Sequence, residues 1–292
     1  MRVTRESLLD LAMRSTTRQY TELLRVQAQA TSGIKFQRAS EAPVDAARAE
    51  RASEGVNDQE VYVANSEYAM DMANAADGVL ESVQDIIVRA REIAVGMASD
   101  TMDAEARTVA ATEVNSLRVR LQQSANADFD GRYLFGGEAW DTEPFALDGT
   151  YAGSTAEPTT VVGASTEVRT AFDGSAIFNG SPDIFASLEA LETALVANDV
   201  TAVQASLGDL ADSTDFLSSA RAALAVDANT AEASMVAAET AGMVASDRLN
   251  DLIATDPIET YSRMTELQSG YERTLQVIAS TSTRSLIDLL GS

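Results

Sequence analysis

The sequence predicts a mainly α-helical protein with a small β-rich insertion, folded as a nested, elongated rod whose two ends pair. Three observations predict this. Apolar residues recur at three- and four-residue spacing through most of the 292 residues. The five prolines fall at 43, 144, 158, 182 and 257, where they separate the helical runs rather than interrupt them. The formal charge of −24 is unevenly spread. Residues 1–51 hold 9 basic and 6 acidic groups, net +3; residues 258–292 hold 3 and 4, net −1; residues 52–257 hold 9 and 35, net −26. Near-neutral ends approach one another and other copies with little repulsion, whereas an acidic middle prefers water.

The first element is a helix over residues 6–32. Leu8, Leu9, Ala12, Met13, Tyr20, Leu23, Leu24 and Ala30 make one broad stripe, with Leu9, Thr16, Leu23 and Ala30 seven apart. Gly33 is the stop. Ser40 is the expected cap of the next helix, with Pro43 in its first turn, where a missing N–H costs nothing. That helix runs to about Ser99, and 56 residues at 1.5 Å each make it about 84 Å long. Gly55 and Gly78 are its weak points. Thr101 or Asp103 caps a third helix that ends near Asn126.

From Gly131 to Ser181 the character changes. Glycines at 131, 136, 137, 149, 153, 163, 174 and 180 separate the β-favouring runs "RYLF", "TTVVG", "TEVRTAF" and "SAIFNG". Tyr133 and Phe135 are expected on one face of a strand. Ser181-Pro182 then reopens a helix, Asp199 starts another that reaches about Ala254, and Asp256-Pro257 breaks it. The closing helix carries Tyr261, Met264, Leu267, Tyr271, Leu275, Ile278, Leu286 and Leu289 at helical spacing. The expected domains are therefore 1–42 with 256–292 as a terminal coiled coil, 43–130 with 182–255 as a bundle of long helices, and 131–181 as a β tip.

Composition narrows the chemistry. No cysteine or histidine is present, which removes disulfides, thiol nucleophiles, Cys/His zinc sites and Ser-His-Asp triads. The acidity argues against nucleic acid or an anionic membrane as partner. No apolar run approaches the roughly 20 residues of a membrane span. The segment "MRVTRESLLDLAMRS" lacks the features of a cleaved secretory signal, so export by another route is the expectation. "GRYLFGGE" spaces Gly131 and Gly136 like a phosphate loop but puts Gly137 and Glu138 where Lys and Ser/Thr are required. Asn126, Asp128, Asp130 and Gly131 match four positions of a calcium loop, yet Gly137 stands where the bidentate Glu belongs, so the segment reads as a helix exit and turn. Acidic pairs such as Asp128/Asp130 and Asp209/Asp212 read as solvated faces. "NGSP" at Asn179 and the single lysine, Lys35, carry no functional reading, and Trp140 and Phe145 are expected to pack the insertion. No catalytic, cofactor or metal residue is assigned.

The terminal stripes are the strongest candidates. Thr16, Gln27, Thr274, Ser282 and Ser285 thin them. A lone helix pair buries little area, so copies of these ends would complete each other's cores. The candidate assembly interface is Leu9, Met13, Tyr20, Leu23, Tyr271, Leu275, Ile278, Leu286 and Leu289.

Four stretches carry a family resemblance: "MRVTRESL", "ATSGIKFQRASEAPVDAARA", "GRYLFGGEAWDTEPF" and "LQSGYERTLQVIASTSTRSLIDLL". They resemble the flagellin-like axial proteins of the bacterial flagellum, in particular the hook–filament junction family of the hook-associated protein 3 type. The motif positions are Gly33, Ser40, Pro43, Gly131, Arg132, Tyr133, Phe135, Gly137, Pro144 and Phe145. Glu41-Ala42 replaces the family's acidic pair, and Ile34 separates Gly33 from Lys35. The resemblance implies a non-enzymatic, self-assembling adapter without cofactors. Its partners would be itself, the other hook–filament junction protein, flagellin, a cytoplasmic export chaperone and the flagellar type III export apparatus. A minor flagellin is the alternative. An acidic chemoreceptor-like rod fits less well, because it would lack the insertion and would follow a membrane span.

Overall fold

The structure is a computed structural model that describes the backbone of residues 5–290 and the side chains of residues 10–280. Seven helices and four short strands follow in the order α1 (Arg5–Ser32), α2 (Pro43–Met97), α3 (Ala104–Ala125), β1 (Asp128–Phe129), β2 (Arg132–Tyr133), β3 (Thr159–Gly163), β4 (Thr166–Arg169), α4 (Gly174–Phe178), α5 (Ile184–Val196), α6 (Val200–Ile253) and α7 (Pro257–Leu290). The mainly helical class with a small β region holds. The chain divides into two compact units, residues 1–56 with 243–292 and residues 57–242.

In the first unit α1 packs antiparallel on α7: Thr274 donates to Gln19 at 3.0 Å, Arg263 donates to Glu22 at 3.3 Å, and the Tyr20 and Tyr271 rings lie 5.6 Å apart. Gly33 ends α1 with φ 71°, the left-handed conformation that glycine adopts without steric cost. Pro43 opens α2 as its first residue. Ser40 does not cap it, because it lies in the preceding turn, two residues too early to reach the free N–H groups.

In the second unit one core joins α2, α3, α5 and α6 to a cluster of phenylalanines, with Leu80, Ile87, Leu121, Leu188, Leu210 and Phe135 fully buried. Asp103, not Thr101, caps α3 by accepting from the Ala106 N–H at 2.7 Å. The helix that follows Ser181-Pro182 is α5, with Asp183 as its cap and Ile184 as its first residue. "SAIFNG" is not a strand but the short helix α4, because Asp173 accepts from the Ser175 N–H and nucleates a turn there. The hairpin β3–β4 lays Val162 and Val168 on Ala69 and Ala231, forming a small second core.

Six of the nine arginines between residues 52 and 257 clip two elements together. Arg89 reaches Glu113, Arg118 reaches Glu192, Arg169 reaches Asp227 and Arg221 reaches Asp77. Arg132 donates to the Tyr68 hydroxyl, and Arg107 holds the end of α2. The scarce cations of an acidic unit are thus spent on inter-element contacts, while most of the surplus carboxylates face water.

Candidate assembly surface and family motif

The α1/α7 pair buries a seam and exposes much of the rest. The shielded residues of α1 include Ala12, Thr16, Gln19, Leu23, Val26 and Ala30, with Glu22, Ala28 and Gln29 beside them, and those of α7 include Thr260, Met264, Leu267, Tyr271, Thr274 and Ile278, with Gly270 beside them; the two sets of six mark the seam. Both sets alternate steps of four and three, the spacing of a coiled-coil seam. Leu23, Tyr271 and Ile278 therefore lie on the seam. Met13, Tyr20 and Leu275 do not: they are 60%, 47% and 42% exposed. Leu9, Leu286 and Leu289 lie outside the described side chains.

Helical geometry shows where the exposed groups sit. Each residue advances about 100°. Met13, Tyr20 and Leu24 fall roughly a quarter turn from the seam of α1, and Tyr261 and Leu275 fall to the same hand on α7. Because the helices are antiparallel, both sets lie on one flank of the pair. The opposite flank is charged near the chain breaks: Arg25 pairs with Glu22 at 2.6 Å, and Arg263 reaches the same carboxylate. The Arg25 hydrogen bond, with the charges of Arg25 and Arg263, holds the Glu22 carboxyl below its ordinary value against a partly opposing desolvation. Farther out on that flank Leu11 and Val277 are exposed. The pair therefore offers apolar side chains on both flanks, a pattern that periodicity alone did not separate into seam and surface.

The motif around residues 131–145 is structural in a different way. Asp130 and Gly131 have φ of 53° and 75° and form the two-residue turn of the β1–β2 hairpin, in which Phe129 pairs with Arg132. Two consecutive positive φ angles are what such a hairpin requires, and Asp-Gly supplies them. The Asp-Gly signal for this hairpin was present in the sequence and missed. Asn126, the first position of the calcium-like run, instead clamps residue 145: its Oδ1 accepts from the Phe145 N–H and its Nδ2 donates to the Phe145 carbonyl. Among the described residues no group of three or more acidic side chains is arranged to hold a metal ion.

Strand β2 ends at Tyr133, so Phe135 does not share a strand face with it. Beyond Tyr133 the chain turns inward. Leu134, Phe135, Gly136 and Gly137 are buried, and Phe135 meets Phe178 edge-on at 5.1 Å. Phe145 packs on Phe178, Phe185 and Tyr151, with ring centroids 5.0–5.4 Å away. Pro144 is buried beside it, and its carbonyl accepts from the Ala152 N–H. Gly137 has φ 60°, and a Cβ there would lie 2.0 Å from the Ser154 carbonyl oxygen. Tyr151 closes the cluster by donating toward the Phe135 and Ser154 carbonyls, and burial pushes its hydroxyl up to about 12. Trp140, expected inside, is 44% exposed, with the Arg132 guanidinium 4.7 Å above its ring.

Comparison with known proteins agrees with these motifs. The signature of the bacterial flagellin N-terminal helical region matches residues 7–139. Flagellar hook-associated protein 3 of Escherichia coli K12 is 28% identical over 233 residues, which cover 77% of this chain and 72% of that protein. Its Salmonella typhimurium LT2 counterpart is 25% identical over 181 residues, 61% of this chain and 57% of that protein. A solved flagellar hook-associated protein from Vibrio parahaemolyticus superposes with a TM-score of 0.67 at 18% identity, covering 73% of this chain and all of that one. The chain is thus similar to the flagellar hook-associated protein 3 of Escherichia coli and Salmonella typhimurium, and residues 7–139 match the helical region found at the N-terminus of bacterial flagellin.

Proposed function

We propose that this chain is a structural adapter at the hook–filament junction, assembling with copies of itself between the other junction protein and flagellin. The observation that carries the reading is the α1/α7 pair, whose apolar side chains are exposed on two flanks. A closed two-fold dimer needs one self-complementary patch, whereas a ring or helical assembly needs two different ones. Met13, Tyr20, Leu24, Tyr261 and Leu275 form one such patch, and Leu11 with Val277 supplies the other.

On this reading residues 1–42 and 256–292, including Leu9, Leu286 and Leu289, form the terminal coiled coil. Residues 43–130 with 182–255 form the body, and residues 131–181 face outward. The near-neutral ends are buried between copies and the net −26 middle is solvated. The chain acts by contact rather than catalysis and reaches its extracellular position through the flagellar type III apparatus with a cytoplasmic chaperone. The similarity to hook-associated protein 3 and the motif at residues 131–145 support a junction role over that of a minor flagellin.

Deleting the gene tests the reading. A junction adapter leaves hooks without filaments, with flagellin released into the medium, and a plasmid copy restores filaments. Normal filaments on the deletion strain would reject the adapter role and favour the minor flagellin.

A further inference from the structure

We infer that the β3–β4 hairpin is a clasp that holds shut one half of the α2/α6 helix pair, a half whose own seam is too thin to stay closed. α2 and α6 run antiparallel: Arg221 donates to Asp77 at 2.8 Å, and Gln204 donates to the Ala98 carbonyl at 3.0 Å. On α6 the buried residues Val203, Leu210, Leu217, Leu224, Ala231 and Ala238 recur every seven positions, the repeat of a coiled-coil seam. On α2 Ser66, Ala69, Ala73, Ala76, Leu80 and Val83 are buried in alternating steps of three and four. Residue size changes midway in both helices. Among the described residues, no buried side chain of α6 larger than alanine follows Leu224, and Met72 is the only large buried one on α2 before Leu80. Antiparallel pairing therefore sets small against small in the half toward residues 57 and 242.

That half gains little from its own seam. A buried alanine removes far less apolar surface from water than a leucine does. Ser66 adds a cost, because it is fully buried and its hydroxyl has no hydrogen-bond partner among the described residues. α3 gives no cover: it pairs Glu113 with Arg89 and ends at Ala125, which carries it back along α2 only to about Asp77. The hairpin covers it instead. Val162 and Val168 are buried on Ala69 of α2 and Ala231 of α6. Asn65 of α2 donates to the Val161 carbonyl at 2.8 Å, and Arg169 donates twice to Asp227 of α6, at 2.7 and 3.0 Å. Glu157, just before β3, accepts from the same guanidinium at 3.0 Å. One hairpin thus bonds to both helices and places its valines where the small side chains leave room. Opening this half has to release the hairpin, so its local stability is set by Arg169 and the two valines.

Hydrogen–deuterium exchange of the full chain, read by peptide mass spectrometry, tests the clasp. In the unaltered chain residues 60–76 and 224–240 should be protected. Arg169→Met cuts the tie to α6, and Val162→Ala with Val168→Ala removes the apolar contacts while leaving both helices unaltered. Each variant should keep its helicity by circular dichroism and speed exchange of 60–76 and 224–240 about tenfold relative to 80–94 and 203–217. Arg118→Met, which cuts a tie between α3 and Glu192 of α5, should spare 60–76 and 224–240. Unprotected segments in the unaltered chain, no contrast between the two halves in the hairpin variants, or an equal response to Arg118→Met would each overturn the clasp. The exchange is read on the free chain and within residues 57–242, so the outcome is independent of the adapter role and of the terminal helices.

Discussion

Arg107 is the one charged side chain that is buried among the described residues. It is 2% exposed, and no carboxylate among the described residues lies within ion-pair distance. Its guanidinium instead donates to the carbonyls of Met97 at 3.1 Å and Ser99 at 2.7 Å, and to the Asn198 side chain. Met97 ends α2, so the cation sits at the partially negative end of a 55-residue helix. Arg107→Met keeps the bulk of the side chain and removes the charge and donors. Hydrogen bonds from charged groups contribute about 1.5–3 kcal/mol each. Three of them set an upper bound of about 9 kcal/mol, from which the relieved burial of the charge must be subtracted. The expected net loss is about 3 kcal/mol, with Arg107→Lys near half of that, because an ammonium keeps the charge but not the fork. Urea unfolding followed by Trp140 fluorescence reports on the same unit. A loss under about 1 kcal/mol for Arg107→Met would refute the reasoning, since burying the cation would then cost about as much as its bonds return.

Four further outcomes follow from the geometry. Gly137→Ala should cost more than about 3 kcal/mol, because its Cβ meets backbone oxygen at 2.0 Å, whereas Gly131→Ala, with open space around it, should cost only the roughly 1–2 kcal/mol of a left-handed non-glycine residue; the same urea titration compares them. Tyr151→Phe should cost about 1 kcal/mol through its lost hydroxyl contacts. The raised Tyr151 hydroxyl contributes stability that is fully present below its ordinary value of 10.0 and is lost as pH rises through about 12, and Tyr151→Phe should remove that alkaline component from a pH–stability profile. Glu22, held below its ordinary value of 4.5, contributes stability above that pH which is lost as pH falls through its lowered value; Glu22→Gln should flatten the acid limb of α1/α7 melting followed by circular dichroism. Met13→Glu with Leu24→Glu should leave the free chain's helicity unchanged and abolish filament attachment in cells, read by counting filaments on hooks.

The long helices were legible because their signals are local: Pro43 and Asp256-Pro257 mark starts, Gly33 a stop, and apolar spacing the rest. The insertion was legible as a change of composition but not in detail. "SAIFNG" has β-favouring residues, yet Asp173 upstream provides the cap that makes it helical. Trp140 was misplaced because nothing local indicates that Arg132 covers its ring at the surface. In α7 the stripe through Tyr261 and Leu275 was read as one face. The pairing with α1 divides it, placing Thr274 on the seam with Gln19 and leaving Leu275 outside. A polar residue on a seam is invisible to an apolar-periodicity argument, and only the partner helix reveals it.

Immunogold labelling of isolated flagella with an antibody against residues 131–181 tests the central claim most directly. The adapter reading predicts gold confined to a narrow band at the outer end of the hook, between hook and filament. Gold distributed along the filament, or absent from the flagellum, would contradict it.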